Sequence, residues 1–434
     1  MDINQLYAAF QKSTGVTTDS RKVEPGKIFF ALKGDNFDGN IFAKDAIAAG
    51  ALLAVVDDKS LSVSPKFLFV DDVLKTLQEL ASHHRRVLGI PLFALTGTNG
   101  KTTTKELITA VLATKYRVKS TSGNFNNHIG VPLTLLDITK DTEVAVIEMG
   151  ASGPGEIRLL TSIALPNAGL ITNVGKAHLL GFGSPEGVKK AKGEMYDHLL
   201  ANNGTAFYNN DNSSLCEMIS ERPGIKTIKY GLKQDGYKIL SSSAKNPFLR
   251  LKAPGYGVIN THLIGNYNAD NIIAAISVGS WLGVSICDAA KAIESYIPSN
   301  NRSQLVKGIR NTLIVDAYNA NPTSMRASLE NFSKLKASKK CLIIGDMLEL
   351  GAESQAEHKG ILEYIKKLKP AQIFFVGKEF LEAARDDKYF TAHARFFATS
   401  DELKAEFERA KPTGNTFLIK GSRGTRLEKC IETL

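Results

Sequence analysis

The run Thr96, Gly97, Thr98, Asn99, Gly100, Lys101, Thr102, Thr103 carries the groups needed to hold a phosphate. Glycines let backbone N–H groups close around phosphate oxygens, the Lys101 ammonium reaches the outer phosphates, and the Thr102 hydroxyl is placed to hold magnesium. The general pattern G-x-x-x-x-G-K-[ST] asks for a first glycine at position 95, where this chain has Leu95. Context compensates: β-branched and aromatic residues precede the run, and Leu107, Ile108, Val111 and Leu112 follow it at helical spacing.

Other reactive groups fall at the ends of strand-like segments. Glu148 ends TEVAVIE, where a phosphate-loop protein commonly places a metal-directed carboxylate. His178 follows NAGLITNVGKA toward the same edge, since ligands gather beyond the carboxyl ends of parallel strands. A lone histidine is as readily structural. The helix-like PEGVKKAKGEMYDHLLA carries Lys189, Lys190 and Lys192; three lysines ordinarily make a solvated face, an ammonium has no lone pair for a metal, and composition does not choose among them. Asn124, Asn126 and Asn127 crowd one turn, and Asn266, Asn268 and Asn271 precede a helix, as caps or as contacts to a base or ribose.

These groups need three units to position them. Residues 1–88 read as a small α/β domain with strands in KIFFAL, LLAVVDD and KFLFV. Residues 89–300 open on the phosphate loop and form a P-loop-type parallel sheet. Residues 301–434 alternate strand and helix, which predicts a Rossmann-like, doubly wound parallel sheet with a final helix over 426–434. The overall class is α/β. Its last sheet brings Asp316, Tyr318, Asn319, Asp346, Lys420 and Ser422 to a polar edge.

Composition bounds the alternatives. At 434 residues, 43% hydrophobic and 23% charged, the chain is a soluble globular protein of two or three domains. Cys216, Cys287, Cys341 and Cys430 are too scattered for a zinc site or a disulfide framework. The start lacks a signal-peptide pattern and no run has the length of a membrane span, so a cytoplasmic protein is expected. The net charge of +10 suits anionic small substrates. Its densest clusters, at 334–340 and 366–369, carry no interleaved aromatics and read as solvated faces, which argues against nucleic acid. A competing class is a nucleotide-switched protein that binds polyanions through its basic surface.

In order, TGTNGKTTTKE, NFNNHIGVPLTLL, EMGASGPGEI, ITNVGKAHLLGFGS, AKGEM, GNYNADN, DAYNANPTSM and GDMLELG resemble the Mur ligases over nearly the whole chain. TDSRKVEPGKIFFALKGDNFDGN resembles the family's UDP-sugar-binding domain, while YNANPTSM and GDMLELG resemble the member that adds D-Ala-D-Ala rather than a free amino acid. The family's own loop is TGTNGKT, so Leu95 is no departure.

That resemblance implies an ATP-dependent amide-bond ligase acting on UDP-N-acetylmuramoyl-tripeptide and D-Ala-D-Ala through an acyl phosphate, with a monomer as the simplest expectation. It implies that Gly97, Thr98, Asn99, Gly100, Lys101, Thr102 and Thr103 hold the triphosphate. Asn271, Arg302, Asp316, Tyr318 and Asn319 complete the ATP site. Thr102, Glu148 and His178 would bind two magnesium ions, joined by Lys192 as a carbamate, which removes the objection to a lysine ligand. Ser20 and Arg21 correspond to uridine-side contacts, Asn126 and Asn127 to contacts with the muramoyl-peptide, and Lys420, Ser422 and Arg423 to the incoming dipeptide. Val315 and Asn301 depart from the family pattern beside Asp316 and Arg302. The segment 299–302 is expected to act as a hinge for domain closure. A single-amino-acid ligase of the same family, or a folylpolyglutamate synthetase-like protein, is the alternative within enzymes.

Overall fold

The computed structural model describes residues 3–61, 64–241, 246–299, 302–337 and 339–434. Three mainly parallel sheets follow one another along the chain. The first orders Val16–Thr17, Ile28–Phe30, Leu53–Val56 and Phe67–Phe69, all parallel. The helix Val73–Leu88 then starts at Asp72, whose side chain accepts from the Lys75 N–H, and stops at Gly89 in the left-handed conformation. Its Leu77, Leu80 and Ala81 share one apolar cluster with Phe30 and Val55 of the first sheet and Leu92, Ala94 and Ile147 of the second. The N-terminal unit is thereby fastened to the central one through a common core.

The central sheet runs Lys226–Tyr230, Thr205–Asn209, Ala168–Ile171, Leu92–Thr96, Val144–Glu148, Val118–Ser120, all parallel. Its three middle strands are buried along their whole length. That is why they read as continuous apolar runs: helices cover both faces of a parallel sheet. Lys101–Leu112 and Asn268–Trp281 pack on one face, Glu156–Ala164 and Pro185–Ala201 on the other. Register sets Leu95 opposite Glu148 and Thr96 opposite Ile171, so three strand ends open on the same edge. An antiparallel ribbon, Lys238–Leu240, Arg250–Ala253 and Gly257–Asn260, was not anticipated, though the Pro254-Gly255 turn is a hairpin signal.

The third sheet orders Gln304–Lys307, Thr312–Asp316, Thr416–Lys420, Lys340–Gly345, Gln372–Val376 and Ala394–Phe397. The four strands expected here are parallel, and an edge strand that was not expected joins them. Gln304–Lys307 pairs antiparallel with Thr312–Asp316, because the connection through 308–311 is far too short for a parallel crossover. The expected last helix is a 3₁₀ segment, Leu427–Thr433. The hinge expectation at 299–302 includes residues 300 and 301, outside the described residues, as is the departure at Asn301.

Candidate functional site

The phosphate loop is built by close approaches that only glycine allows. Gly97 has φ +144, and a Cβ there would stand 2.0 Å from Thr172 Oγ1; at Gly100, φ +80, a Cβ would stand 2.8 Å from Asn271 Oδ1. The loop is clamped from the neighbouring strand end. Thr98 N–H donates to the Asn173 carbonyl (2.9 Å) and Asn99 N–H to Asn173 Oδ1 (3.0 Å), while Thr172 Oγ1 donates to the Asn99 carbonyl (2.7 Å). Beneath it, Asn271 accepts from Thr104 Oγ1 and donates to Asn268 Oδ1. Gly100 caps the helix Lys101–Leu112, so its N-terminal N–H groups face the cleft. The Lys101 ammonium turns back on Gly97 O (2.7 Å) and Thr98 O (3.1 Å). Burial pushes its pKa down, against the pull of Glu148 and with the repulsion of Arg302.

Glu148 is buried, with Oε1 accepting from Asn126 Nδ2 (2.8 Å) and Oε2 without a partner. A buried carboxylate oxygen left free beside a phosphate loop fits a magnesium ion, which takes oxygen ligands. Lys192 lies on the helix Pro185–Ala201, capped by Ser184. It is 2% exposed, and its nearest acceptor is the Ala151 carbonyl at 3.4 Å. Burial, then the charge of Lys101, lowers its pKa to about 7 against Glu156 and Glu194. Its neighbours are ordinary surface lysines: Lys189 pairs with Glu217 and Lys190 is exposed. His178 sits in a left-handed conformation (φ 50). The Glu349 carboxylate lies against its Nδ1 from the third domain. Burial lowers the His178 pKa, Glu349 opposes this, and Lys101 and Lys192 add to it. Among the described residues no three His, Cys, Asp or Glu side chains gather as a metal cluster, so acidic side chains alone do not complete such a site.

The opposite wall comes from the third sheet. Lys420, 1% exposed, donates to Asp316 Oδ2 (2.7 Å), which also accepts from Ser328 Oγ (2.7 Å). Burial pushes the Asp316 carboxyl up, but Lys420, Ser328 and Arg302 together hold it below its ordinary value. Arg302 lies over the Tyr318 ring at 3.6 Å and Arg423 at 5.5 Å. Ser422 Oγ accepts from the Leu348 N–H and donates to the Ala320 carbonyl. Asp346, at the same polar edge, instead caps the helix Lys378–Ala384 through the N–H groups of Glu379 and Phe380.

One cavity of about 760 Å³ joins the two walls. It is lined by residues 98–103, Asn126, Asn127, Glu148, His178 and Asn271 of the second unit, and by Arg302, Asp316, Tyr318, Asn319, Lys420, Ser422 and Arg423 of the third. Gly97 and Lys192 are not part of that lining. Ser20 and Arg21 are apart from it, in a 3₁₀ turn where Arg21 is held by Asp19 (2.9 Å). Asn127 Oδ1 accepts from the Gly130 N–H and so caps the helix Gly130–Leu136. Asn321 and Glu349, which reach across the cleft, escaped sequence reasoning; DAYNANPTSM and GDMLELG contained both, but contact between domains leaves no periodicity.

A phosphate-loop motif and a buried carboxylate facing a second, Rossmann-like sheet across one cavity have the layout of a nucleotide-binding enzyme. The Mur ligase family supplies the match. Its catalytic domain matches residues 12–85, its middle domain 95–279 and its glutamate ligase domain 301–423. The UDP-N-acetylmuramoyl-tripeptide–D-alanyl-D-alanine ligase of Bacillus subtilis is 39% identical over 433 residues, 97% of this chain and 93% of that protein. The structure of MurF from Acinetobacter baumannii aligns with a TM-score of 0.87 at 31% identity, covering 99% and 97% of the two chains. MurF from Thermotoga maritima in complex with ADP aligns at 0.84 and 26% identity, covering 98% and 97%. This chain belongs to the Mur ligase family and has its three-domain α/β architecture.

Proposed function

We propose that this protein is the ATP-dependent ligase that joins D-Ala-D-Ala to UDP-N-acetylmuramoyl-tripeptide in peptidoglycan precursor synthesis. The observation that carries this reading is the shared cavity, where a triphosphate loop on one domain faces the Asp316–Lys420 and Arg302–Tyr318 pairs of another. Relatives at 30–39% identity over nearly their full length bear that same name. In this reading residues 1–88 bind the UDP-sugar, 89–300 bind ATP, and 301–434 bind nucleotide and dipeptide. The enzyme acts in the cytoplasm as a monomer, and no helix among the described residues is long and apolar enough to cross a membrane.

The chemistry follows from a mismatch: a carboxylate is a poor electrophile until it carries a good leaving group. One carboxylate oxygen of the tripeptide attacks the γ-phosphorus, the bond to ADP breaks, and an acyl phosphate forms. The amine of D-Ala-D-Ala, having lost a proton, attacks the acyl carbon, and collapse of the tetrahedral intermediate expels phosphate. Lys101 and the N–H groups at the start of its helix oppose the charge gathering on the phosphoryl oxygens. Thr102, Glu148 and His178 would hold magnesium, which supplies Lewis-acid neutralisation between the two anionic reactants. Lys192 would bind or orient metal as a carbamate. With its pKa lowered to about 7, Lys192 has at neutral pH a sizeable fraction of neutral amine, the form that adds to CO₂ with loss of one proton to give an anion suited to a metal. Asn126 holds one oxygen of Glu148, while Asp316, Tyr318 and Asn319 receive the nucleoside. Closing the cleft keeps water from the acyl phosphate.

Phosphate release from ATP with UDP-muramoyl-tripeptide, with and without D-Ala-D-Ala, tests the assignment together with the product mass. Release that needs both substrates and adds one dipeptide is expected. Release indifferent to both would sink it, and preference for a free amino acid would move the protein to a sister ligase.

A further inference from the structure

The C-terminal domain touches the phosphate loop itself, and it does so through a residue with another evident duty. Asn321 is the N-cap of the helix Pro322–Lys334: its Oδ1 accepts from the Ser324 N–H (2.9 Å) and the Ser324 hydroxyl closes the capping box. That leaves its Nδ2 free to reach across the cleft, where it donates to Asn99 Oδ1 (2.8 Å). We propose that this bond is a clasp: Asn321 is a positioning residue that completes the phosphate loop when the C-terminal domain docks, linking nucleotide binding to closure. The proposal rests on the ligase reading above.

Asn99 is the residue through which such a signal would pass. Its N–H and carbonyl are already fixed by Asn173 and Thr172 from within the central domain, so only its side chain is available to an outside partner. Asn321 is 5% exposed and Asn99 half-buried, which reduces the competition of water for the same hydrogen bond. A second approach lies beside it. A Cβ on Gly175 would come within 3.0 Å of Thr323 Oγ1, and the Gly175 N–H donates to Thr98 Oγ1 (3.0 Å). The start of one C-terminal helix therefore meets both the phosphate loop and the segment that clamps it. Thr323, Ser324 and Ser328 of that helix line the cavity. A loop shaped on one side by its own domain and on the other by a moving domain binds phosphate best when both are in place.

The difficulty in testing an N-cap is that its loss weakens the helix. Serine caps as well as asparagine, but its side chain is too short for the bridge, so Asn321→Ser removes the clasp and keeps the cap. In the full chain, ADP affinity by calorimetry is expected to fall about threefold to tenfold, with the thermal midpoint unchanged and the ADP-induced decrease in radius of gyration by X-ray scattering reduced. KM for ATP should rise more than kcat falls. In a double-mutant cycle, Asn99→Ala should lose the same factor, and adding Asn321→Ser to it should lose nothing further. An Asn321→Ser protein that binds ADP and compacts as wild type does, or losses that multiply in the double mutant, would overturn the clasp alone. A wild-type protein that binds no nucleotide would overturn the ligase reading and the clasp with it.

Discussion

The two walls of the cleft solve opposite problems. On the C-terminal wall most polar groups satisfy one another: Lys420 holds Asp316, Ser328 shares the same oxygen, and Ser422 bridges Leu348 and Ala320, while Arg302 lies over Tyr318 with its buried Nε unpaired. On the central wall the reactive groups are left wanting. Glu148 has a buried oxygen without a partner, Lys101 makes do with its own loop's carbonyls, and Lys192 is held near neutrality by burial and by Lys101. The difference separates scaffold from chemistry. Self-paired groups present a fixed shape, whereas under-satisfied ones are open to an added ligand.

That contrast is broken most severely from the central side. Glu148→Gln removes the carboxylate charge while keeping the Asn126 contact, and should lower kcat by about 10³-fold, the loss of several kcal/mol of charge stabilisation. Manganese binding followed by electron paramagnetic resonance should weaken in parallel; unchanged binding would take Glu148 out of the metal site. Asn126→Ala is gentler: freeing one oxygen of Glu148 should cost about 10–100-fold in metal affinity. If instead only KM for the UDP-peptide rises, Asn126 is a substrate contact and not a positioning group.

The same contrast predicts opposite stability effects on the two walls. Lys420→Met leaves Asp316 buried without its cation and should destabilise the protein by ~3–5 kcal/mol, measured by urea unfolding. Lys192→Met should do the reverse at neutral pH. An unfolded lysine titrates near 10.5 and the folded Lys192 at about 7. Between those values the unfolded chain holds more protons, so wild-type stability rises with pH across this window and is lost as pH falls toward 7. The substitution should flatten that slope in CO₂-free buffer. A slope equal to wild type's would show that Lys192 is not the buried amine responsible.

How much of this was legible depended on the range of the interactions. The central strands showed in the sequence because both faces are buried, and the loop between Thr96 and Lys101 because glycine and lysine mark it locally. Lys192 could not be told from Lys189 and Lys190 by composition, since all three share one helix and only packing against the Lys101 side buries one of them. The family's AKGE pattern, not periodicity, singled it out. The antiparallel strand Gln304–Lys307 was missed because a four-residue edge strand, partly exposed, lacks a clear alternation. Asn321 and Glu349 act across domains, where sequence separation hides proximity. His178 was placed at the right edge by strand order, but its neighbour Glu349 was not.

The smallest effect sharpens the comparison by standing outside both walls. Arg21 was assigned to the uridine end of the substrate, yet it lies apart from the cavity, 86% exposed at its side chain, and is tied by Nε and Nη2 to Asp19. The Asp19 carboxyl is pulled down to about 2, first by its hydrogen bond from Arg21. A guanidinium fixed in this way has a defined direction and one remaining donor edge, which suits a diphosphate or uracil oxygen approaching from solvent. Arg21→Ala should therefore raise KM for the UDP-peptide by about tenfold, the scale of one charge-assisted hydrogen bond, and leave kcat, ADP affinity and thermal midpoint as they are. The two KM values discriminate because ATP and UDP-peptide would enter from different domains. A rise in KM for ATP would mean that the N-terminal unit is coupled to the cleft through the shared helix Val73–Leu88, and no rise in either would remove Arg21 from the substrate path.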